Sequence, residues 1–149
     1  MPTHRNPQRE SSRSVPGDLA AFDSAYFAQD VTVLGGIDEA GRGALAGPVV
    51  AAVVLADPAT RFPGVNDSKR LSPARREAVY SVIAQTALGV GVGWASASEI
   101  DRINILQATL LAARRALGGL ARRPDLLLTD WLKLADAPCP VVPLVKGDA

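Results

Sequence analysis

Apolar residues occur along the chain in short runs whose spacing is typical of buried strands. The runs at 31–37 and 48–56 are rich in valine, and the second is apolar at almost every position, as in a strand at the centre of a sheet. The link between these runs is too short for a crossover helix, so we expect the two strands to pair antiparallel. Similar runs at 88–97, 125–130 and 140–145 predict three further strands.

Three other segments carry apolar residues at helical spacing. The first, 18–29, predicts a short helix before the first strand. Ser72 as an N-cap and Pro73 at the first helical position predict a second helix that ends near residue 87. A third is predicted over 104–117, with Gly118-Gly119 as its stop. Its apolar stripe is predicted to contain Ile103, Leu106, Leu110, Ala113 and Leu117.

The order of these elements, strand, strand, helix, strand, helix, strand, strand, predicts an α/β fold with a mixed five-stranded sheet and flanking helices. The chain has 149 residues, which suits one domain of common size. Residues 1–17 are polar and contain little to bury, so we expect a disordered leader followed by a single domain over 18–149.

Composition excludes several classes of chemistry. One cysteine, Cys139, excludes an internal disulfide framework and fits a reducing cytoplasm. One histidine, in the polar leader, argues against a Ser-His or Cys-His catalytic pair. No apolar run is long enough to cross a membrane, and the N-terminus lacks the apolar core of a signal peptide. Any catalysis is therefore expected to use carboxylates, lysine or a metal ion.

Adjacent carboxylates follow the first predicted strand, within the octad Gly36 to Gly43. Asp38 and Glu39 would repel each other unless a cation lies beside them, and a third acid, Asp130, ends the fourth strand. If the first and fourth strands are parallel neighbours, the three acids converge at one edge of the sheet. Side chains alternate along a strand, so Asp38 and Glu39 can share a metal only where the strand ends and bends.

Oxygen ligands alone favour magnesium or manganese over zinc, and such ions assist phosphodiester hydrolysis. An alternative is that Asp38 and Asp130 only cap turns. Because Asp38 and Glu39 are adjacent and a third acid ends a matching strand, a metal site and a turn-capping role are about equally favoured.

A glycine-flanked arginine follows the acids. Gly41-Arg42-Gly43 loosely matches a dinucleotide-binding loop, but such a loop must lead into a helix and here a strand follows. The glycines instead allow the main chain to approach a ligand, offering N–H groups and a guanidinium to phosphate or sugar hydroxyls.

Three further residues have a structural and a functional interpretation. Lys69 lies in a polar loop and either binds a phosphate or belongs to a solvated turn. Trp94 and Trp131 either stack on bases or pack in the core or at its rim.

Taken together, these motifs resemble the N-terminal two thirds of a bacterial ribonuclease HII. The resemblance runs from about residue 19 to the end of the chain. The segments that carry it are Gly36 to Gly43, Leu45 to Ala52, Asn66 to Lys69 with Leu71-Ser72, Ile100 to Ile105 with Ala108 to Leu110, and Lys146 to Ala149.

The resemblance implies an RNase H-like fold and metal-dependent endonucleolytic cleavage of the RNA strand in RNA–DNA hybrids, including single ribonucleotides embedded in duplex DNA. It implies Mn²⁺ or Mg²⁺ as cofactor and a monomeric cytoplasmic enzyme. Asp38, Glu39 and Asp130 then correspond to catalytic, metal-binding carboxylates. Gly41-Arg42-Gly43 corresponds to the loop that reads the ribose 2′-hydroxyl, and Lys69 lies near the substrate phosphates.

The chain also departs from the family pattern. Trp131 follows the third acid where glycine is common, and Ala44 replaces a frequent proline. By the same resemblance, the chain is expected to be C-terminally truncated, ending before the helix that carries the fourth catalytic aspartate. The alternatives to an active enzyme are a catalytically inactive hybrid-binding remnant and a fragment that depends on a partner.

Overall fold

A computed structural model describes residues 27, 30–42, 47–62, 72–130 and 132–144. The predicted leader and almost all of the predicted helix at 18–29 lie outside these residues. The described elements are five strands and two helices: β1 (Leu34–Ala40), β2 (Val49–Ala56), α1 (Pro73–Thr86), β3 (Gly89–Ala95), α2 (Ala97–Gly118), β4 (Leu126–Thr129) and β5 (Val141–Pro143).

The strands form one mixed sheet in the order β3-β2-β1-β4-β5. The predicted antiparallel pairing of β1 with β2 is confirmed, with Ile37 opposite Val53. The parallel pairing of β1 with β4 is also confirmed, and places Ile37 beside Thr129. The predicted α/β fold with a five-stranded mixed sheet is therefore correct.

The first strand begins and ends later than the sequence predicts. Before it, the N–H groups of Thr32 and Val33 donate to the carboxylate of Asp125, at 3.0 and 2.9 Å. At its other end β1 continues as far as Ala40, which pairs with Val50. Asp38 and Glu39 consequently lie inside the strand rather than after it.

The second helix, α2, begins seven residues earlier than predicted. Ser96 and Glu99 form a capping box, in which each side chain accepts from the other residue's backbone N–H. The helix is kinked at Asn104, whose φ of 72° is left-handed and whose side chain accepts from the N–H of Gln107 at 2.9 Å. The predicted start at 104 is therefore the start of the second part of a longer helix.

Small residues, rather than large ones, form the buried face of α2. The predicted stripe is confirmed only in part: Ala113 is buried and Leu110 and Leu117 pack against the core, but Leu106 is 45% and Ile103 37% exposed. The buried positions are Ala108, Thr109, Ala112, Ala113 and Ala116.

Glycines of β3 allow this close contact. A Cβ added to Gly91 would lie 2.1 Å from the carbonyl oxygen of Ala116, and one added to Gly93 would lie 2.2 Å from that of Ala112. Glycines on the strand and alanines on the helix thus let the two backbones approach closely.

The N-terminus of α1 is as predicted. The Ser72 hydroxyl accepts from the N–H of Arg75 at 3.2 Å, and Pro73 occupies the first turn. None of its residues is buried, however. The main core lies instead between α2 and one face of the sheet, and a smaller buried cluster contains Leu34, Leu126 and Leu128.

In the described part of the chain, no helix is both long and apolar enough to span a membrane.

Candidate active site

Two of the three predicted acids follow the last residue pair of two neighbouring strands, Asp38 inside β1 and Asp130 directly after β4. The last residue pair of the parallel β1–β4 ladder is Ile37 with Thr129, and Asp38 and Asp130 are the next residue on each chain. Ile37 faces α2 in the core, so the alternation of side chains places Asp38 on the opposite face of the sheet. Both aspartates are exposed.

Glu39 does not join them in a single cluster. Its side chain alternates to the face that packs on α2 and is only 9% exposed, and its carboxylate lies 3.8 Å from the guanidinium of Arg42. Among the described residues, no group of three or more histidine, cysteine, aspartate or glutamate side chains is placed to hold a metal ion. The structure thus brings together Asp38 and Asp130, while the predicted three-acid convergence is absent because β1 remains straight through Glu39.

The predicted bend occurs two residues later, at Gly41. Its φ of +92° lies in the left-handed region, and a Cβ there would be 2.4 Å from the carbonyl oxygen of Pro48. Only glycine fits this position without rearrangement. The bend sets Arg42 immediately beyond the acids, with its side chain 41% exposed. Gly43 and Lys69 lie outside the described residues.

A short turn after β4 carries Asp130. The hydroxyl of Thr129 donates to the carbonyl oxygen of Leu132 at 3.0 Å, so this hydrogen bond spans Asp130. Both flanking residues are buried, Thr129 at 1% and Leu132 at 2% exposure. The turn is therefore anchored on each side of the exposed acid; Trp131 lies outside the described residues.

Asp125 holds the start of the same strand pair, a role that the sequence did not reveal. One of its carboxylate oxygens accepts from the hydroxyl and N–H of Thr32, at 2.8 and 3.0 Å, and from the N–H of Val33. The hydrogen bond from the Thr32 hydroxyl, followed by the two backbone N–H groups, lowers the pKa of this carboxyl. The clamp fixes the register of β1 against β4, and hence the pairing of Asp38 with Asp130. No local signal could have found it, because the partners are 93 residues apart.

Trp94 lies on the same face of the sheet as Asp38. It pairs with Val50, which pairs with Ala40, and Ala40 is two residues beyond Asp38 on β1. Two strand spacings separate β3 from β1, about 10 Å. The indole is 57% exposed, so packing in the core is excluded for this tryptophan within the described structure.

The pair of aspartates suits a hard divalent cation. Their ligand atoms are carboxylate oxygens only, which favour magnesium or manganese, and an exposed strand end leaves room for water and substrate oxygens. A cation also stabilises two adjacent carboxylates, because it offsets the repulsion between their charges. The arrangement can therefore hold a phosphate ester through a shared metal.

A comparison with protein families finds a match over most of the chain. A family model described as ribonuclease HII matches residues 35–137. This span includes Asp38, Glu39 and Asp130, and both helices of the described structure.

Similar curated proteins belong to the same family. The chain is 49% identical over 142 residues to the ribonuclease HII of Pelobacter propionicus, covering 95% of this chain and 65% of the relative. It is 48% identical over 131 residues to that of Moorella thermoacetica, covering 88% of this chain and 64% of the relative. The chain thus spans slightly less than two thirds of the length of these relatives.

Solved structures show an RNase H-like fold. The ribonuclease H2 from Pyrococcus horikoshii OT3 matches with a TM-score of 0.60 and 28% identity, over 74% of this chain and 61% of that one. The RNase HII crystallised with PCNA from Archaeoglobus fulgidus matches with a TM-score of 0.60 and 25% identity, over 75% and 62%. Bst-RNase HIII in complex with Mn²⁺, at 22% identity and a TM-score of 0.58 over 76% and 45%, supports the fold alone.

Proposed function

The chain belongs to the ribonuclease HII family, and from this premise we propose that its site cleaves the RNA strand of RNA–DNA hybrids, including single ribonucleotides embedded in duplex DNA. The observation that carries the proposal is the placement of Asp38 beside Asp130 at the open end of the β1–β4 pair. Carboxylates in this position suit a metal-assisted hydrolase better than a general acid and base pair, because both are exposed to solvent.

Asp38 and Asp130 are proposed to hold a divalent cation, Mn²⁺ or Mg²⁺. The ion would supply Lewis-acid stabilisation of the charge that develops on the scissile phosphate. Two carboxylate ligands suit either ion and do not distinguish between them. Glu39 is proposed to contribute the third ligand through the backbone oxygen beside it, because its side chain lies on the opposite face of the sheet from that of Asp38.

The loop after the acids is proposed to recognise the ribose. Gly41-Arg42-Gly43 begins two residues after Glu39, and the left-handed conformation of Gly41 turns the backbone at this point. The exposed part of Arg42 and the N–H groups of the loop then suit the 2′-hydroxyl, the group that distinguishes RNA from DNA. Lys69 is proposed to bind substrate phosphates, and the exposed Trp94 to contact a base.

We further propose that the protein acts as a monomer in the cytoplasm. The single cysteine, Cys139, is free and supports the compartment alone, since it fits a reducing environment.

The test is cleavage of a 5′-labelled DNA duplex containing one ribonucleotide, in Mg²⁺ and in Mn²⁺, with the full chain and its Asp38→Asn variant. Loss of one group that stabilises transition-state charge typically costs roughly 100- to 1,000-fold in rate, and we expect a fall of that size. Asp30→Asn is the matched control, since Asp30 is exposed in a turn with φ of 64°, which asparagine tolerates. Equal cleavage by the Asp38→Asn and Asp30→Asn variants would contradict the proposed site.

A second candidate function is hybrid binding without turnover. It is favoured by one observation, that the described residues contain no group of three acids placed for a metal ion. A gel shift of the same duplex, compared with an all-DNA duplex, separates the two functions. Selective binding of the ribonucleotide-containing duplex without any product supports the second function and rejects the first.

A further inference from the structure

A groove of about 490 Å³ lies at the end of the sheet that is remote from the acids. Its walls come from the C-terminal end of α2, from the loop that leads into β4, and from the segment 134–138. Pro124 in its wall precedes β4 and Asp130 follows it, and the four residues of this strand span roughly 13 Å. The groove is therefore separate from the candidate active site.

Arginines dominate the charge of this groove. Arg114, Arg122 and Arg123 line it, against one acid, Asp136. Arg114 is paired with Asp136 at 2.8 Å, with both side chains about half exposed. Within the described structure neither Arg122 nor Arg123 forms an ion pair within 4.0 Å, and both are exposed; the charge of Arg122 nevertheless helps to lower the pKa of the Asp57 and Asp125 carboxyls nearby. Two guanidinium groups thus remain available to a ligand's carboxylates or phosphates.

The floor of the groove is apolar. Leu117, Leu120 and Leu134 line it together with Pro124 and Pro138. Leu134 is 6% exposed and belongs to the main core, while Leu117 and Leu120 pack against that core. A floor built on the core is rigid and offers a preformed contact for an apolar side chain.

From this combination we propose that the groove binds a short acidic protein segment that carries an apolar anchor residue. The anchor packs on the leucines, while carboxylates on either side of it pair with Arg122 and Arg123. The volume lies within the range of roughly 300–1,000 Å³ typical of pockets that hold small ligands, so it accommodates one anchor with its neighbours. A nucleic-acid backbone fits less well, because phosphodiesters have no apolar group to place on the leucine floor and the groove lies at the far end of β4.

The test uses a fluorescein-labelled nine-residue peptide of glutamate and aspartate around a central Leu-Phe pair, titrated with the full chain and followed by anisotropy. The matched peptide carries glutamine and asparagine in place of the acids. We expect the acidic peptide to bind at least about tenfold more tightly than the neutral one, as expected for one charge-assisted hydrogen bond.

Substitutions of arginines test whether the acidic peptide binds in the groove. The double substitution Arg122→Gln, Arg123→Gln is expected to lower the affinity for the acidic peptide by at least about tenfold. Arg75→Gln, Arg76→Gln is the control, because these residues are also an adjacent, exposed arginine pair but lie on α1. Thermal melts of both variants establish that each is folded.

Three results would overturn the proposal: no binding of the acidic peptide, equal binding of both peptides, or equal weakening by the two double variants. A labelled nine-nucleotide DNA serves as the competing ligand. If the DNA binds more tightly than the acidic peptide and only the Arg122 and Arg123 variant weakens it, the groove is a nucleic-acid contact and the peptide proposal is wrong.

Discussion

The position of Asp130 depends on side chains that have no catalytic chemistry of their own. Thr129 is buried and donates across the acid to the carbonyl oxygen of Leu132. Asp125 fixes the other end of the same strand against the segment before β1. A short strand of four residues is thus held at both ends by side-chain to backbone hydrogen bonds.

Replacing Thr129 with valine keeps the shape of the side chain but removes its hydroxyl. The carbonyl oxygen of Leu132 then loses this donor in a buried setting, which costs about 1–3 kcal/mol of unfolding free energy. We expect cleavage of the ribonucleotide-containing duplex to fall as well, because the turn that carries Asp130 loosens.

Thr129→Ser is the control, because it retains the donor while removing a methyl group. Full activity in Thr129→Val would show that this hydrogen bond does not position Asp130. Urea denaturation and initial cleavage rates measure the two effects separately.

At the scale of elements, the sequence predicts well wherever the signal is local. The strand at 48–56 and the start of α1 follow from valine content and from Ser72-Pro73, and both are confirmed. The early start of α2 was also readable, since Ser96 and Glu99 have the spacing of a capping box.

Two features could not be predicted from local sequence. The delayed start of β1 depends on Asp125, which is far away in the chain. The fully buried positions of α2 are four alanines and Thr109, because glycines of β3 bring the backbones together, and a search for large apolar residues finds only Leu110 and Leu117, which are partly buried. The separation of Glu39 from Asp38 is a further case, because it depends on the pairing of Ala40 with Val50, which keeps β1 extended through Glu39.

The close contact between α2 and β3 predicts a strong effect of one added methyl group. In Gly93→Ala the new Cβ would meet the backbone of α2 at 2.2 Å, and backbone cannot move aside as a flexible side chain can. We expect the free energy of unfolding to fall by about 3 kcal/mol, the upper end of the usual cost of overpacking. Urea denaturation of the variant and the parent chain gives this difference.

Gly36→Ala is the matched control, since its Cβ would meet nothing within 4 Å. This change is expected to be neutral or to stabilise by up to about 1 kcal/mol, because glycine in a strand carries an entropic cost. Equal midpoints of urea denaturation for Gly93→Ala and the parent chain would show that α2 is free to shift away from the sheet.

At the scale of the whole molecule, α2 is tied to the edge of the sheet by one arginine. The guanidinium of Arg115 donates to both carboxylate oxygens of Glu99, at 2.9 and 2.8 Å, and to the carbonyl oxygen of Trp94 at 2.8 Å. Trp94 belongs to β3, the edge strand next to β2. The ion pair therefore joins the two ends of the helix to the strand on which it packs.

This link predicts how stability depends on pH. The hydrogen bond from Arg115, followed by that from the N–H of Ser96, lowers the pKa of Glu99 from its ordinary value of 4.5 to about 2. A carboxyl whose pKa is lower in the folded state stabilises the fold above its unfolded pKa, and loses this contribution as pH falls through the folded value. The contribution of Glu99 is thus complete above about pH 5 and declines between 4.5 and about 2.

Glu99→Gln isolates this effect, because glutamine can still complete the capping box while carrying no charge. Melting temperatures of the variant and the parent chain are expected to differ by a constant amount from pH 5 to 7, with the parent more stable. Below that range the difference should shrink as Glu99 takes up its proton, even though other carboxylates lower both melting temperatures together. A difference that stays constant down to pH 2 would mean that the charge of Glu99 contributes nothing, and that its role at the start of α2 is limited to the cap.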